Sequence, residues 1–242
     1  MDFKKYNTVL FYNSIKELGL KLDDYQVGQF MEYYELLIEW NSFMNLTAIT
    51  EFDEVCTKHF IDSISLCKAV DCTKDLAVID VGTGAGFPGI PLKIAFPDLK
   101  ITLLDSLGKR VKFLNEVIGR LGLQEIEAIH GRAEDFAKPD ALREKFDLCV
   151  SRAVANLSTL SEYCLPYVKV NGFFISYKSE KIFDEMQAAQ HAIELLGGEV
   201  CGQKEFILPG SDIYRNLFQI KKVKATPKKY PRKAGLPSKE PL

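Results

Sequence analysis

The residues in this chain that are best suited to chemistry form the segment DVGTGAGFPG at positions 80–89. A short apolar run precedes this segment, and a helical pattern with Pro88 near its start follows it. Glycine at positions 82, 84 and 86 lets the backbone turn sharply and approach a ligand without a Cβ in the way. Because ligands of open α/β sheets bind beyond the carboxyl ends of the strands, this strand–turn–helix segment predicts a cofactor site.

A second acidic residue, Asp105, ends the next apolar run and lies nineteen positions after Gly86. A carboxylate at this place can accept hydrogen bonds from both hydroxyls of a ribose. The GxGxxG pattern at 84–89 also fits dinucleotide-binding enzymes, so an NAD-dependent oxidoreductase is an alternative that nicotinamide binding would reveal. The start of the loop, an acid followed by alternating glycines, resembles motif I of the class I S-adenosylmethionine methyltransferases. In that family the loop faces the methionine part of the cofactor, and the acid after the second strand binds the ribose.

Two more strand ends carry candidate site residues, in the segments IHGRAED at 129–135 and CVSRAVA at 149–155. In class I methyltransferases the loop after the third strand holds the adenine, and Ala133 and Glu134 occupy the matching positions here. Arg152 follows the fourth strand, where its guanidinium can meet a carboxylate, a phosphate or a guanine edge, or form a structural salt bridge.

The fourth strand end also indicates what kind of atom is methylated. It lacks the Asn/Asp-Pro-Pro-aromatic motif typical of exocyclic amine methylation. Cys149 could serve as the nucleophile of a pyrimidine C5 methyltransferase, but it lies within an apolar run and is expected to pack in the core. A ring nitrogen such as guanine N7 has an available lone pair and needs neither base nor nucleophile. We therefore assign no catalytic residue and expect Arg152 to lie near the guanine.

Over nearly its whole length the chain resembles the ribosomal small-subunit guanine-N7 methyltransferases, also called the glucose-inhibited division protein B family. The resemblance is carried by NLTAIT at 45–50, HFIDS at 59–63, the glycine turn at 80–89, LDSLGKRVKFL at 104–114, GRAE at 131–134, SRAVA at 151–155 and YPRKAGLPSKEPL at 230–242. It implies methylation of N7 of one guanine in 16S ribosomal RNA with S-adenosyl-L-methionine. The cofactor residues that it implies are Gly82, Phe87, Ala133, Glu134 and Arg152, to which the fold adds Gly84 and Asp105.

The charge distribution predicts the RNA-binding residues. From residue 221 to the end there are eight basic residues and one acid, although the whole chain has a net charge of −2. Such a segment either contacts a polyanion or is a solvated tail. The predicted RNA ligands are Lys109, Arg110, Lys228, Lys229, Arg232 and Lys233, with Tyr230 expected to stack on a base. Neutralising the four tail charges is predicted to weaken RNA binding and to leave cofactor affinity intact.

His59 and Asp62 are expected to pack a helix against the sheet.

These residues need an α/β framework to bring them together. Strand-like runs at 77–81, 100–104, 125–129, 146–150 and 172–177 alternate with helical patterns, which predicts parallel strands with helices on both faces. Two last runs, at 199–208 and 214–223, are close enough to pair as a hairpin. The first seventy residues are predicted to be mainly helical, with an amphipathic stripe that follows a cap at Asp23 and another helix at 53–67. Between them the segment at 45–50 is too polar and too short to continue either helix. We therefore expect a helical extension at 1–70, a Rossmann-like class I methyltransferase domain with a mostly parallel seven-stranded sheet at 71–224, and a basic tail at 225–242.

Composition limits the remaining possibilities. Hydrophobic residues make up 47% and charged residues 26%, which is typical of a globular protein. The sequence has no long apolar run, and its first residues lack the continuous apolar core expected of a signal peptide. Six cysteines without a CxxC pair and three histidines predict reduced thiols in the cytoplasm and no metal site. We expect a monomer whose partner is 16S ribosomal RNA or the small subunit, with no membrane partner. A non-catalytic, RNA-binding ribosome-assembly factor and a small-molecule methyltransferase are further alternatives.

Overall fold

The computed structural model describes residues 6–152, 155–179 and 182–242. In these residues one seven-stranded sheet has the order β3-β2-β1-β4-β5-β7-β6, and only β7 runs antiparallel to its neighbours. The strands are β1 Ala77–Val81, β2 Lys100–Asp105, β3 Ile126–His130, β4 Phe146–Ser151, β5 Val168–Lys178, β6 Gly198–Ile207 and β7 Tyr214–Lys222. Every predicted strand is present, the final hairpin included, and the class I methyltransferase fold is confirmed.

The central strands are buried on both faces because helices cover both sides of the sheet. Side chains alternate between the two faces of a strand, so Val78 of β1 packs in one hydrophobic cluster and its neighbour Ile79 in the other. The edge strand β6 instead alternates exposed and part-buried residues. The buried strands therefore read as continuous apolar runs in the sequence, which is why they were predictable.

Ten α-helices lie in the described residues. They are α1 Val9–Glu17, α2 Asp24–Met44, α3 Phe52–Val55, α4 Asp62–Ile64, α5 Gly89–Ala95, α6 Gly108–Arg120, α7 Ala133–Phe136, α8 Leu157–Cys164, α9 Phe183–Leu195 and α10 Leu236–Lys239. Helices α1 to α6 contribute to the first cluster, and α8 and α9 to the second. None of these helices is long and apolar enough to cross a membrane.

The N-terminal helices share a core with one face of the sheet. Asp23 caps α2: its side chain accepts from the backbone N–H of Gln26, while the Gln26 side chain accepts from the backbone N–H of Asp23. The helix predicted at 53–67 is a composite, because a π-helical segment, Cys56–Ile61, separates α3 from α4. Such segments occur frequently at functional sites. The stretch at 45–50 is not helical, as its polarity predicted.

The segment after β7 folds back onto the second cluster. The Arg143 side chain donates to the carbonyl oxygens of Thr226, Pro227 and Tyr230. Lys222, one of the eight basic residues counted from position 221 onward, is fully buried at the end of β7, and its ammonium donates to the carbonyl oxygen of Leu165 at 2.6 Å. Part of the C-terminal positive charge therefore has a structural role.

Candidate active site

The glycine turn is held from beneath by Asp80, which is completely buried in β1. Its Oδ2 accepts hydrogen bonds from the Thr83 hydroxyl at 2.6 Å and from the Gly89 N–H at 2.8 Å. Burial raises the pKa of this carboxyl to about 6, although those two hydrogen bonds act in the opposite direction. In the described part of the chain Asp80 Oδ1 has no hydrogen-bond partner. A buried acceptor next to the turn can therefore serve a donor on a ligand.

Glycine is required at position 86 of this turn. Its φ is +98°, a conformation that other residues rarely adopt, and an added Cβ would lie 2.5 Å from Ile90 Cδ1 and 2.7 Å from the Tyr33 hydroxyl. The neighbouring Gly82 and Gly84 also have positive φ, of +74° and +63°. The sequence spacing of the glycines thus reflects the backbone path of the loop.

A cavity of about 490 Å³ opens beside this turn, at the carboxyl ends of β1 to β3. Asp105 lies at its edge with 3% exposure. Its two carboxylate oxygens accept from the Gly84 N–H and the Leu107 N–H, each at 2.9 Å, and the Arg110 guanidinium lies 3.4 Å away. The cavity is lined by Val81, Gly82, Leu104, Asp105, Ser106, Leu107, Arg110, Gly131, Arg132, Ala133, Glu134, Ala155, Leu160, Tyr163, Gly235 and Ser238. A carboxylate accepts up to about four hydrogen bonds, so Asp105 keeps acceptor capacity for a ligand.

Ala133 and Glu134 line the same cavity. The Glu134 side chain is 7% exposed, and its Oε1 accepts from the backbone N–H of Gly235 at 2.7 Å. The carbonyl oxygen of Ala133 accepts from the Tyr167 hydroxyl at 2.5 Å. The loop after β3 is therefore fixed by contacts from both the sheet domain and the C-terminal segment.

A second cavity, of about 750 Å³, adjoins the first, and Ala155 lines both. It is lined by Ile49, Lys58, His59, Asp62, Arg152, Ala155, Asn156, Tyr177, Lys178, Ser179, Glu185 and Arg215. Four of these residues are cationic and two are acidic. We call this space the cationic cavity. Its composition suits a polyanionic ligand such as RNA.

Two arginines of the cationic cavity share one buried carboxylate. Asp62 accepts from Arg152 at 2.9 Å through Oδ2 and from Arg215 at 2.7 Å through Oδ1. Arg152 also donates to the Lys58 carbonyl oxygen at 3.0 Å, and its guanidinium lies 5.1 Å from the centre of the Phe87 ring. The arginine side chains are 17% and 15% exposed, whereas Asp62 is 3% exposed. Asp62 therefore orients both guanidinium groups at the cavity surface.

His59 completes this arrangement as a neutral ring. It stacks on Phe87 with the ring centres 4.5 Å apart. Burial and the Arg152 guanidinium lower the pKa of His59 to about 3. Since Arg152 can only donate, Nδ1 of His59 accepts from it at 3.2 Å, and Nε2 donates to the Thr47 hydroxyl at 2.9 Å. The NLTAIT and HFIDS segments are thus in contact. His59 and Asp62, which were expected only to pack helix against sheet, also line the cationic cavity.

The structure distributes the predicted cofactor residues over two places. Four of them line the first cavity: Gly82, Asp105, Ala133 and Glu134. Gly84 is not among the lining residues, but its N–H donates to Asp105. The other two residues lie elsewhere: Arg152 lines the cationic cavity, and the Phe87 ring is 6% exposed and packs against His59. Their assignment to the cofactor stays a prediction. Residues 153 and 154 of the SRAVA segment lie outside the described residues.

The predicted RNA ligands also differ from one another. The side chains of Lys109, Lys228, Lys229 and Lys233 are exposed, so a polyanion can reach them. The Lys229 ammonium also lies 5.1 Å from the centre of the Tyr230 ring. Arg110 and Arg232 instead contact carboxylates, those of Asp105 and Glu162. Their roles in RNA binding stay predictions.

The expectation that Tyr230 stacks on a base was wrong. The ring is 7% exposed, because it packs in the second hydrophobic cluster. A tyrosine within a basic sequence segment is therefore part of the core here.

Cys149 is fully buried, as its place in an apolar run predicted, and burial raises the pKa of its thiol. A thiol with a raised pKa and no access to solvent is a poor nucleophile. Among residues 6–152, 155–179 and 182–242 no group of three or more His, Cys, Asp or Glu side chains could hold a metal ion.

Sequence reasoning missed several residues that line the two cavities. Arg215 and Lys178 are contributed by β7 and β5, and Tyr163, Gly235 and Ser238 by α8 and the C-terminal segment. No local motif marks them. The available signal was a charged residue next to an apolar strand run, in IYRNLF at 213–218.

Comparison with known proteins identifies the family of this chain. A family model described as GidB, rRNA small subunit methyltransferase G, matches residues 26–209. A protein named ribosomal RNA small subunit methyltransferase G from Lachnoclostridium phytofermentans is 56% identical over 96% of both chains. One of the same name from Alkaliphilus metalliredigens is 53% identical over 97% of this chain and 98% of that relative.

Solved structures show the same fold at low identity. A SAM-dependent methyltransferase from Aquifex aeolicus superimposes with a TM-score of 0.52 at 17% identity, covering 73% of this chain and 96% of that one. TYW2 from M. jannaschii, in complex with AdoMet, gives a TM-score of 0.52 at 15% identity, covering 67% and 77%. These likenesses concern the fold alone. The near full-length relatives and the matching model show that this chain belongs to the GidB family, described as rRNA small subunit methyltransferase G.

Proposed function

We propose that this protein transfers a methyl group from S-adenosylmethionine to N7 of a guanine in 16S ribosomal RNA. The observation that carries the proposal is the meeting of two different cavities at Ala155. One is lined by carboxylates at the ends of parallel strands, which suits a nucleoside-containing cofactor. The other is lined by cations, which suits a nucleotide of the RNA. Methyl transfer requires donor and acceptor to be held next to each other.

The first cavity fits the cofactor in size and in chemistry. Ligand pockets typically measure about 300–1,000 Å³, and this cavity measures about 490 Å³. Asp105 supplies the acceptor for the ribose hydroxyls, and Ala133 and Glu134 supply the polar edge for the adenine. The unpartnered Asp80 Oδ1 fits an ammonium group or a water molecule beneath the glycine turn. When bound, S-adenosylmethionine supplies a methyl group on a positively charged sulfur.

The cationic cavity favours an acceptor atom that has no proton to lose. The possible bases that line it among the described residues are already engaged: Asp62 by two arginines, Glu185 by Lys178 at 2.7 Å, and His59 by Arg152 and Thr47. Methylation of an exocyclic amine requires the loss of a proton, whereas guanine N7 attacks with its own lone pair and loses none. The geometry therefore supports N7 as the acceptor, with no catalytic acid or base.

Arg152 and Arg215 then have a recognition role in the cationic cavity. A guanidinium can donate two parallel hydrogen bonds to a phosphate or to guanine O6. Held by Asp62, these groups are fixed before the RNA binds, which reduces the entropy lost on binding. Arg152 and Ala155 line the same cavity, and substitution of Arg152 tests whether its guanidinium serves one ligand or both.

The exposed lysines give the RNA a larger surface. A-form RNA hides guanine N7 in a deep and narrow groove, so the target guanine must be unpaired or turned outward. Phosphate contacts by Lys109, Lys228, Lys229 and Lys233 would make binding depend strongly on salt. We further propose that the substrate is 16S RNA or the assembling small subunit in the cytoplasm, and that the protein acts on it as a monomer.

The test uses purified protein, labelled S-adenosylmethionine and unmodified small-subunit RNA, both naked and assembled into particles. Borohydride–aniline treatment cleaves RNA at N7-methylguanine. We expect one cleavage, in an unpaired segment, and the better of the two RNA forms identifies the substrate. Label without cleavage would overturn the N7 assignment. Absence of label despite cofactor binding would overturn the RNA assignment and favour a small-molecule acceptor or a non-catalytic assembly factor.

A further inference from the structure

The last thirteen residues of the chain are attached to the methyltransferase domain by a buried ion pair. We call residues 230–242 the C-terminal strap. Glu162 of α8 is fully buried, and its two oxygens accept from Arg232 Nε at 3.0 Å each and from Nη2 at 2.7 Å. The backbone N–H of Arg232 donates to the same carboxylate at 2.7 Å. Bidentate, charge-assisted contacts of this kind fix geometry as well as adding stability.

From this attachment the strap reaches the first cavity, which is lined by Asp105 and Glu134 and is called the cofactor cavity from here on. Gly235 has a φ of +83° and directly precedes α10, and its N–H donates to Glu134 Oε1 at 2.7 Å. The Thr159 hydroxyl donates to the Pro237 carbonyl oxygen at 3.0 Å. Gly235 and Ser238 line the cavity together with Glu134. The strap lies beyond residues 26–209, which the family model matches.

We propose that the C-terminal strap forms part of the cofactor-binding wall, and that the Arg232–Glu162 pair is a positioning element for the adenosine end of S-adenosylmethionine. This proposal rests on the proposed placement of the cofactor between Asp105 and Glu134. With Oε1 of Glu134 held by Gly235, the carboxylate keeps one orientation and its Oε2 remains for the ligand. Arg232 acts through Gly235 and Glu134 and is not a catalytic residue.

The strap divides the basic segment into two functions. Arg232 points inward to Glu162, whereas Lys228, Lys229 and Lys233 are exposed. Neutralising the three lysines should weaken RNA binding alone. Neutralising Arg232 should weaken cofactor binding. This revises the expectation that neutralising all four tail charges, Arg232 and the three lysines, leaves cofactor affinity intact.

The first experiment compares Arg232→Gln with the neighbouring control Lys233→Gln. Isothermal titration with S-adenosylmethionine should give a Kd raised by about tenfold or more for Arg232→Gln and changed by less than about twofold for Lys233→Gln. The KM for the cofactor should rise in the same proportion, while kcat at saturating cofactor is retained. Arg232→Lys, which keeps one charge but not the bidentate contact, should fall between the two. If Arg232→Gln destabilises the protein but leaves the Kd for S-adenosylmethionine unchanged, the Arg232–Glu162 pair has only a structural role and the proposal is overturned.

The second experiment uses the unaltered protein and does not depend on a variant that folds. Coupling between strap and cofactor is reciprocal, so S-adenosylmethionine should slow amide hydrogen exchange in residues 230–240 by about fivefold or more. Exchange that is unaffected by saturating cofactor would overturn the strap's role. Asp105→Ala tests the cofactor placement separately. If this variant binds S-adenosylmethionine with normal affinity, the proposed placement of the cofactor is wrong. If it loses affinity strongly but the cofactor does not slow exchange in the strap, only the inference about the strap is rejected.

Discussion

Replacement of Asp62 by asparagine should reveal how the cationic cavity is organised. The carboxylate is 3% exposed and is the shared partner of Arg152, at 2.9 Å, and Arg215, at 2.7 Å. Asparagine retains the shape of the side chain but loses its charge and one acceptor. Two guanidinium groups would then face each other without a counterion between them.

The size of the effect follows from burial. Removing one partner of a buried ion pair costs about 3–5 kcal/mol. Arg152 and Arg215 keep 17% and 15% exposure, so water can solvate them in part, and we expect the lower end, about 3 kcal/mol. For a chain of this length that loss lowers Tm by about 6–12 °C. The misplaced guanidinium groups should reduce kcat/KM for RNA by about 10²-fold.

Thermal unfolding and single-turnover methylation of small-subunit RNA measure the two effects. The matched control is Asp75→Asn, since Asp75 and its partner Lys100 are 66% and 52% exposed and the control should shift Tm by no more than about 2–4 °C. A Tm and an RNA kcat/KM for Asp62→Asn that match those of the control would refute the argument. Cofactor affinity distinguishes the roles of Arg152: it should be retained if this side chain serves only the RNA, and reduced if it also holds the cofactor.

Three other predictions concern the cofactor turn and the neighbouring histidine. Asp105→Ala should raise the Kd for S-adenosylmethionine by about 10²-fold, since the proposed charged hydrogen bond to the ribose would be lost, and titration calorimetry would measure it. Gly86→Ala should destabilise the protein by about 2–4 kcal/mol in urea unfolding, because the new methyl would meet Ile90 at a positive φ, whereas Gly119→Ala, with no atom within 4 Å of its Cβ, should be neutral or stabilising. The pKa of His59 is lowered to about 3 from an unfolded value near 6.5, so its contribution to stability is complete above about pH 6.5 and is lost as the pH falls towards 3. The melting temperature of the unaltered protein should therefore fall more steeply between about pH 6.5 and 4 than that of His59→Gln, and equal slopes would contradict the assignment of a neutral ring.

Local sequence patterns were sufficient for the parts of the molecule whose signal lies within one element. The buried strands read as apolar runs, and Asp23 and the stripe that follows it predicted α2. The positive φ angles of the turn explain its glycines. In each of these cases the apolar period, the cap or the backbone conformation is visible without knowledge of the tertiary partner.

Tertiary pairing could not be read in this way. Arg215 and Asp62 are separated by 153 positions, and Arg232 and Glu162 by 70. In the sequence Arg232 is one cation in a basic run, and nothing nearby indicates that it is directed inward. The π-helical segment at Cys56–Ile61 was equally invisible, because it differs from an α-helix only in which carbonyl each N–H contacts.

The same long-range pairs explain why the candidate site depends on both ends of the chain. The glycine turn and Asp105 come from the central sheet, but the cationic cavity needs His59 and Asp62 from the N-terminal helices, and the cofactor cavity needs Gly235 from the strap. A class I sheet alone would supply a cofactor turn without these walls. Each added segment is joined to the sheet domain by a buried carboxylate that holds an arginine, Asp62 for one cavity and Glu162 for the other. Because an unpaired buried charge is costly, docking of each distant segment is energetically coupled to completion of the cavity that it lines.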